Sequence, residues 1–396
     1  MRDWFRELRS FFRKGDMVLL TLCLITSAYS SLIIASATNA SKFGSSTRYI
    51  VIHVVATLIG LLAYAIMSSI NLDFLAEHRA VLAVLNVGML LLLIPFGTDA
   101  GTENRSWLDF PFLPVNIQPA EICKIFFIVI LASVMSSRQN RISKFSSVLM
   151  MAGHLILLVA ANMILSKDLG VTLIFVFIFL GMAFAGGVNL IWFLLGIGAV
   201  AFAVTAVFAV PAIRDKLVGT HWYERIMMFF DPSIDPYGKG VRWHTNLSLQ
   251  YVQNGGVAGR GLFQGTMVQG RTMPAQHTDF IFSSIAEELG LIGCVAVLLM
   301  LAAIVTRIIY VGVKSGNYMN RIICIGIAGM LLFQIMVNVG MCLGLFPVIG
   351  LTLPFISYGG SSIVTMFMAM GVVSGIHMRP APDGTARYIR PKTMLS

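Results

Sequence analysis

Charged residues are scarce in this chain. Only 12% of its 396 residues are Asp, Glu, Lys or Arg, whereas a soluble domain carries roughly 25%. Hydrophobic residues make up 57% of the sequence, and the few charges cluster between apolar runs of about 17 to 25 residues, the length that crosses ~30 Å of hydrocarbon. The sequence therefore excludes an ordinary soluble domain and predicts an integral membrane protein.

Cysteine is also sparse, and its spacing excludes two classes of site. The five cysteines lie in or at the ends of apolar runs, and neither disulfide nor metal-ligand spacing is present. The net charge of +10 comes without a basic reading helix or a stacking platform for bases, so nucleic acid is not an expected partner. Lys and Arg retained at the cytoplasmic ends of membrane spans account for the excess.

Ten apolar segments predict an all-α membrane protein with about ten transmembrane helices. An even number of spans puts both termini on one side, and the short segments on that side hold far more Lys and Arg than those opposite. The positive-inside rule places both termini in the cytoplasm. The predicted spans are 17–37, 50–69, 80–96, 122–136, 147–165, 169–186, 189–210, 280–304, 321–345 and 356–377.

These spans divide the chain into three parts. Residues 1–16 alternate aromatic and basic side chains, which predicts a cytoplasmic amphipathic segment on the inner leaflet. Residues 17–378 form the membrane domain, including a large extracytoplasmic loop, 211–279, between the seventh and eighth spans. Residues 379–396 are a basic, proline-containing cytoplasmic tail.

Ionisable residues at membrane depth are candidates for function. Glu121 and Lys124 begin the fourth span three residues apart, so they share a helix face and can pair. Asp168, between the fifth and sixth spans, is expected at the same level. A structural ion pair that fixes helix packing is favoured over direct catalysis for this group.

The extracytoplasmic loops add aromatic and basic candidates. Trp107 is typical of an interface anchor, which by residue type alone outweighs a substrate contact. The large loop interleaves aromatics with Arg225, Arg242 and Arg260, a composition that suits a sugar or phosphate at a lipid surface. Its glycine-rich stretch, 255–261, could form an anion-binding nest, although ordinary turns explain most of these glycines.

Asp279 stands where the large loop becomes the eighth span, two residues after His277. By residue type alone, a helix cap is favoured here, because the helix dipole stabilises a carboxylate at this position. The functional alternative is a carboxylate in a partly dry site that takes a proton from a substrate hydroxyl.

Taken together, these motifs resemble the SEDS family (shape, elongation, division and sporulation) of the RodA/FtsW type, over nearly the whole chain. The matching pieces are Gln-Pro-x-Glu-x-x-Lys at 118–124, Asp-Leu-Gly at 168–170, Phe-Asp-Pro at 230–232, His-Thr-Asp-Phe-Ile-Phe at 277–282, Glu-Glu at 287–288, Asn-Val-Gly at 338–340 and Pro-Phe-Ile-Ser-Tyr-Gly-Gly-Ser-Ser at 354–362. The chain departs from the family at Ala275, where Glu is usual.

The resemblance implies a ten-helix peptidoglycan glycosyltransferase that polymerises lipid II at the outer face of the bacterial cytoplasmic membrane. It implies a class B penicillin-binding protein as partner. It makes Asp279 the catalytic residue, which reverses the preference for a cap, and makes Trp107 a substrate contact. Met341 favours the elongation type, with division and sporulation left open.

The predicted site therefore has one catalytic residue, Asp279, and a set of substrate-binding residues. These are Trp107, Glu121, Lys124, Asp168, Arg225, Arg242, Arg260 and His277. A divalent cation, Mg²⁺ or Mn²⁺, or the loop cations would stabilise the charge of a diphosphate leaving group; no metal site built from protein ligands is predicted.

Two other functions compete with polymerisation. A lipid II flippase or ion-coupled exporter would use Glu121, Lys124 and Asp168 as a relay. A transporter would hold its ionisable residues near the bilayer midplane, whereas here they gather at the ends of spans. The third interpretation is a non-catalytic scaffold that activates a partner polymerase.

Overall fold

The computed structural model describes residues 14–39, 46–98, 105–109, 116–210 and 242–379, with the isolated positions 223 and 227. Most of the predicted N-terminal segment, most of the C-terminal tail and Arg225 lie outside these residues. The helices are α1 Met17–Thr38, α2 Ser46–Ser69, α3 Leu72–Glu77, α4 Arg79–Leu91, α5 Leu93–Phe96, α6 Pro119–Ser137, α7 Phe145–Leu165, α8 Leu169–Ala185, α9 Leu190–Ala209, α10 Arg242–Gly255, α11 Thr266–Gly270, α12 Ile281–Lys314, α13 Tyr318–Cys342 and α14 Gly360–Met378.

The predicted helical membrane architecture is confirmed. Eight described helical segments are long and apolar enough to cross a membrane, and α8 and the first part of α9 are shorter apolar helices. Each predicted span overlaps one of these segments. Long apolar side chains such as Leu62, Val84, Ile156, Leu194 and Leu299 are exposed. Apolar surface of this extent is unusual for a soluble monomer and suits contact with lipid.

The helices approach closely where small residues meet a neighbouring backbone. A Cβ at Gly371 of α14 would lie 2.5 Å from the carbonyl oxygen of Tyr64 in α2. One turn on, a Cβ at Gly375 would lie 2.9 Å from the carbonyl oxygen of Ser68. Glycine at these positions lets α14 pack directly on α2, which is the usual device in membranes, where packing rather than water exclusion drives helix association.

One end of the bundle is held together by a buried carboxylate. Asp16 caps α1 through the Leu19 amide at 3.0 Å, and Nε of Arg307 in α12 donates to both of its oxygens at 3.0 and 2.9 Å. The Asp16 amide donates to Ser374 Oγ of α14, and the Tyr64 hydroxyl of α2 donates to the Asp16 carbonyl, each at 3.2 Å. Four helices are thereby joined through one residue.

The eighth span differs from the uninterrupted helix expected over 280–304. The helix α12 continues to Lys314 and is broken at Gly290, where φ is 64° and ψ is −162°. A Cβ at Gly290 would overlap the backbone nitrogen of Gly259. Only glycine permits both this backbone conformation and this approach.

The glycine-rich loop satisfies the backbone groups that the break leaves open. Two carbonyls before the break accept from loop amides, and two amides after it donate to loop carbonyls. The bonds are Arg260 N to Glu287 O at 2.9 Å, Gly261 N to Glu288 O at 2.9 Å, Leu291 N to Gly256 O at 3.0 Å and Ile292 N to Val257 O at 3.3 Å. The amides of residues 260 and 261 therefore bind α12, which corrects the interpretation of this part of the loop as an anion nest.

Candidate active site

Asp279 lies in a turn that leads directly into α12. Ala275 begins the turn in the left-handed backbone region, at φ 56°. Its carbonyl accepts the amides of Thr278 at 3.1 Å and Phe280 at 3.3 Å. Phe280 occupies the N-cap position of α12 and makes no side-chain cap hydrogen bond, so Asp279 lies one residue before the N-cap.

Three successive carbonyls of this turn are bound by α13 and by the segment before α14. The bonds are Tyr358 N to His277 O at 2.9 Å, Ser357 Oγ to Thr278 O at 2.7 Å and Asn338 Nδ2 to Asp279 O at 2.9 Å. The backbone of the catalytic candidate is therefore held at three consecutive residues. The motifs at 338–340 and 354–362, far apart in sequence, converge on it.

The Asp279 carboxylate faces a glycine. A Cβ at Gly350 would lie 3.6 Å from Asp279 Oδ2, and Gly350 itself has φ 73°. The next residue, Leu351, accepts a 2.6 Å hydrogen bond from the same Asn338 amide that binds the Asp279 carbonyl. Asn338 thus joins the two backbone segments that flank the carboxylate.

Aromatic rings surround the start of the turn. The ring centroids of Tyr49 and His277 are 5.1 Å apart, and those of Tyr49 and Tyr358 are also 5.1 Å apart. Burial lowers the pKa of His277 to about 4, and the charge of Arg271 acts in the same direction. His277 is therefore a neutral imidazole at neutral pH, suited to hydrogen bonding rather than to charge pairing.

The ion pair predicted at the start of the fourth span is present. Lys124 Nζ lies 2.7 Å from Glu121 Oε1, and both side chains are buried. Gln118 Nε2 donates to Asp168 Oδ2 at 3.3 Å, and Asp168 caps α8 through the Val171 amide at 3.0 Å. Burial raises the pKa of Asp168, and the charge of Glu121 adds to this. Asp168 thus joins the group, as expected.

This group packs beside the segment that faces Asp279. A Cβ at Gly170, at the start of α8, would lie 2.9 Å from the carbonyl oxygen of Ile349, one residue before Gly350. The backbone amide of Gln118 donates to Ser361 Oγ of α14 at 3.1 Å. The starts of α6, α8 and α14 are therefore packed together beside the segment that faces Asp279.

Trp107 lies in a short hairpin beside the same group. Strands β1, Gly97–Thr98, and β2, Trp107–Leu108, pair antiparallel, and Leu108 also exchanges two backbone hydrogen bonds with Ile117, just before α6. Trp107 is half-buried. In the described part of the chain, the backbone of Trp107 pairs with Thr98 in the hairpin.

The loop cations occupy different positions. Arg260 donates from Nε to the Asn254 carbonyl at 2.9 Å and from Nη2 to Asn254 Oδ1 at 2.6 Å. Its side chain therefore already organises the loop. Arg242 is the first residue of α10, and Arg225 is outside the described residues.

A model of a family described as cell cycle protein, FTSW_RODA_SPOVE, matches residues 16–381. The chain belongs to this family. It is 32% identical to the probable peptidoglycan glycosyltransferase FtsW of Thiomicrospira cyclica, over 91% of this chain and 90% of that protein. It is 30% identical to the peptidoglycan glycosyltransferase MrdB of Escherichia coli K12, over 91% of this chain and 93% of that protein.

A solved peptidoglycan synthase complex contains a chain of the same fold. The superposition has a TM-score of 0.74 at 26% identity and covers 92% of this chain and 97% of that one. The apolar helices and these relatives identify this member of the FtsW/RodA/SpoVE family as a multi-pass bacterial membrane protein.

The sequence alone predicted no role for three residues at the site. Asn338 had a signal, because the Asn-Val-Gly motif is polar inside an apolar span. Tyr49 and Arg271 had none, because each reaches the turn through tertiary packing from another part of the chain.

The described residues contain no group of three or more His, Cys, Asp and Glu side chains arranged to hold a metal ion. Mg²⁺ in phosphate-handling sites is often bound by one or two carboxylates and the oxygens of the substrate. In that mode of binding the substrate supplies most of the ligands.

Proposed function

We propose that this chain is a peptidoglycan glycosyltransferase that polymerises lipid II into glycan strands at the outer face of the cytoplasmic membrane. Membership of the FtsW/RodA/SpoVE family and the names of its relatives support this. The observation that carries the proposal is the carboxylate of Asp279, on a turn bound through three consecutive carbonyls at the mouth of a membrane-spanning helix. Both termini are cytoplasmic in this arrangement, as the Lys and Arg distribution predicts.

The site suits a base that acts on a hydroxyl. Asp279 accepts the proton of the 4-hydroxyl of the acceptor N-acetylglucosamine. That oxygen forms a bond to the anomeric carbon of the growing chain's terminal N-acetylmuramic acid, with inversion. The bond from this carbon to the diphosphate oxygen breaks, and polyprenyl diphosphate leaves with the electron pair. Solvent then takes the proton from Asp279.

A fixed backbone matters for this chemistry, because a base contributes only when it is held within hydrogen-bond reach of the proton that it removes. Asn338 and Ser357 are positioning residues in this account, since they hold the turn and not the substrate. Further back, Asp168 at the start of α8 accepts a hydrogen bond from Gln118 just before α6, and Glu121 and Lys124 pair within α6.

The residues predicted from the sequence supply the proposed substrate contacts. Trp107 and neutral His277 suit sugar packing and hydrogen bonding, while Arg225, Arg242 and Arg260 suit phosphate. A divalent cation, when bound, would be held mainly by diphosphate oxygens of the substrate and would neutralise charge on the leaving group.

A class B penicillin-binding protein is the proposed partner, and the similarity to a chain of a peptidoglycan synthase complex supports it. The elongation type remains the proposed subgroup on Met341, although the relatives include both FtsW and MrdB at nearly equal identity. A flippase is less well supported, because Glu121, Asp168 and Asp279 all lie in or just before the first turn of a helix and not midway along a span.

Polymerisation of fluorescent lipid II by the purified chain tests the proposal. The chain is assayed alone and with its class B penicillin-binding partner, and wild type is compared with Asp279→Ala. Glycan ladders from wild type and none from the variant are expected. Ladders from both would move the catalytic residue elsewhere, and ladders from neither would favour a transporter or a scaffold.

A further inference from the structure

Arg271 is a partly buried arginine whose charge has no acidic partner in the described residues. Its Nη2 makes one long hydrogen bond, 3.4 Å, to the Thr38 carbonyl at the end of α1. Its Nε is shielded from solvent and has no hydrogen-bond partner. The described ion pairs join other residues, Lys124 with Glu121 and Arg307 with Asp16. A cation that is partly shielded from solvent and lacks a counter-charge is costly, so the position of this side chain needs a reason.

The backbone at Arg271 gives a second, independent observation. Arg271 ends α11 in the left-handed region, with φ 51° and ψ 45°. Glycine is the usual residue at such a helix end, because it has no Cβ to strain. Here glycine stands one position earlier, at Gly270, and the arginine occupies the strained position. A side chain kept where glycine would cost less is expected to have a use.

Arg271 faces the site on the side of the aromatic rings. Gln276, which precedes His277, donates to the Ala37 carbonyl at 2.7 Å, and Arg271 donates to the neighbouring Thr38 carbonyl. Both side chains therefore reach the last turn of α1. The charge of Arg271 acts on Tyr49 and on His277, and His277 is two residues from Asp279.

We propose that Arg271 binds the diphosphate of the lipid-linked donor and stabilises the departing polyprenyl diphosphate. This rests on the proposed function. The Nε and Nη2 groups form one edge of the guanidinium, the edge that pairs with two phosphate oxygens at once. When the bond from the anomeric carbon to oxygen breaks, the electron pair moves to the diphosphate, and Arg271 compensates that charge beside Asp279.

Binding of a short-chain polyprenyl diphosphate to the full chain in nanodiscs tests this without turnover. The matching monophosphate and alcohol are measured alongside. Arg271→Gln is expected to weaken binding of the diphosphate about tenfold or more, which is the effect of one lost charge-assisted pair. Binding of the monophosphate weakens less, and binding of the alcohol is unchanged.

Two further variants distinguish direct binding by Arg271 from a general effect of positive charge and from misfolding. Lys167→Gln removes an exposed lysine that also has a left-handed backbone, at φ 52°, and is expected to keep wild-type affinity for the diphosphate. Arg271→Gly relieves the left-handed strain, so its melting temperature should equal or exceed that of wild type while its diphosphate affinity falls. Stability that rises as binding is lost is not expected of a merely structural arginine.

Equal losses in Arg271→Gln and Lys167→Gln would overturn the proposal, because the effect would then be general electrostatics. Wild-type affinity in folded Arg271→Gln would also overturn it. The same preparations are assayed with fluorescent lipid II. If wild type makes no glycan but Arg271→Gln still loses diphosphate binding, the proposed polymerase activity is contradicted. The proposed anion site at Arg271 is then still supported. Glycan synthesis with unchanged binding in Arg271→Gln would contradict the anion site alone.

Discussion

The side-chain amide of Asn338 donates a 2.9 Å hydrogen bond to the backbone carbonyl of Asp279, and its second donor bond reaches the carbonyl of Leu351 at 2.6 Å. Asn338 lies in the last turns of α13, buried between both segments. One amide therefore sets the distance between the turn that holds the carboxylate and the segment that faces it.

Replacing Asn338 should impair turnover more than substrate binding. Asn338→Ala removes both donor bonds, and Asn338→Asp puts acceptor oxygens against two carbonyls. Loss of the bond to Leu351 leaves a buried carbonyl without that donor, at about 1 to 3 kcal/mol, and the Asp279 carbonyl keeps the Cys342 thiol at 3.7 Å. We expect kcat to fall about tenfold or more with KM for lipid II nearly unchanged. Gln334→Ala, a buried amide one turn earlier on α13, is the matched control and should keep kcat; a similar fall in both would contradict a positioning role.

Gly290→Ala should detach the glycine-rich loop from α12. The substitution strains a left-handed backbone and drives a Cβ into the Gly259 nitrogen and the Val257 carbonyl, and overpacking of this kind costs about 1 to 3 kcal/mol or more. Thermal unfolding in detergent should show a clear loss of stability. Gly329→Ala, where a Cβ would meet nothing within 4 Å, should be neutral or slightly stabilising. An unchanged melting temperature for Gly290→Ala would show that the loop does not depend on the break.

Because Glu121 and Lys124 form a buried ion pair, we expect their contributions to the free energy of unfolding to be strongly coupled. Glu121→Leu alone leaves the buried ammonium of Lys124 without its counter-charge, which costs about 3 to 5 kcal/mol. The double variant Glu121→Leu/Lys124→Leu removes both charges and should be far less destabilised than the two single changes summed. Unfolding of the four proteins in detergent measures the coupling, and additive losses would rule out the pair as a stabilising unit.

The lowered pKa of His277 predicts a pH dependence of stability. The unfolded chain takes up a proton near pH 6.5, whereas the folded imidazole remains neutral down to a pKa of about 4. Stability from this group is therefore complete above about pH 6.5 and is lost as the pH falls towards 4. Melting temperatures between pH 7.5 and 5 should fall less steeply for His277→Asn than for wild type. His78→Asn, at an exposed imidazole, should keep the wild-type slope, and identical slopes in all three proteins would contradict burial of His277.

Local spacing was enough to predict part of this arrangement. Glu121 and Lys124 are three residues apart on one helix, so their pairing follows from helix geometry alone. The apolar runs predicted the helices because the bilayer fixes their length. Asp279 could be located at the start of α12, but residue type alone favoured a cap, and only the family resemblance identified it as the catalytic candidate.

The remaining features depend on contacts between distant segments. Hydropathy cannot detect the break at Gly290, because its neighbours Leu289 and Leu291 are apolar and the loop that completes the hydrogen bonds precedes the break by about 30 residues. Arg271 gave no signal because its left-handed backbone and its missing counter-charge result from packing against the end of α1. The bonds from Ser357 and Asn338 to the turn likewise join parts of the chain about 60 to 80 residues apart.

The most direct test of the account is single-turnover polymerisation of fluorescent lipid II by Asp279→Asn, with lipid II binding and melting temperature measured on the same preparation. The variant keeps the size of the side chain and every backbone bond of the turn, and it removes only the basic carboxylate. We expect wild-type stability, lipid II affinity close to that of wild type and a loss of polymerisation of at least a hundredfold, the usual contribution of a general base. Turnover within a few-fold of wild type would contradict the assignment of Asp279 as the base.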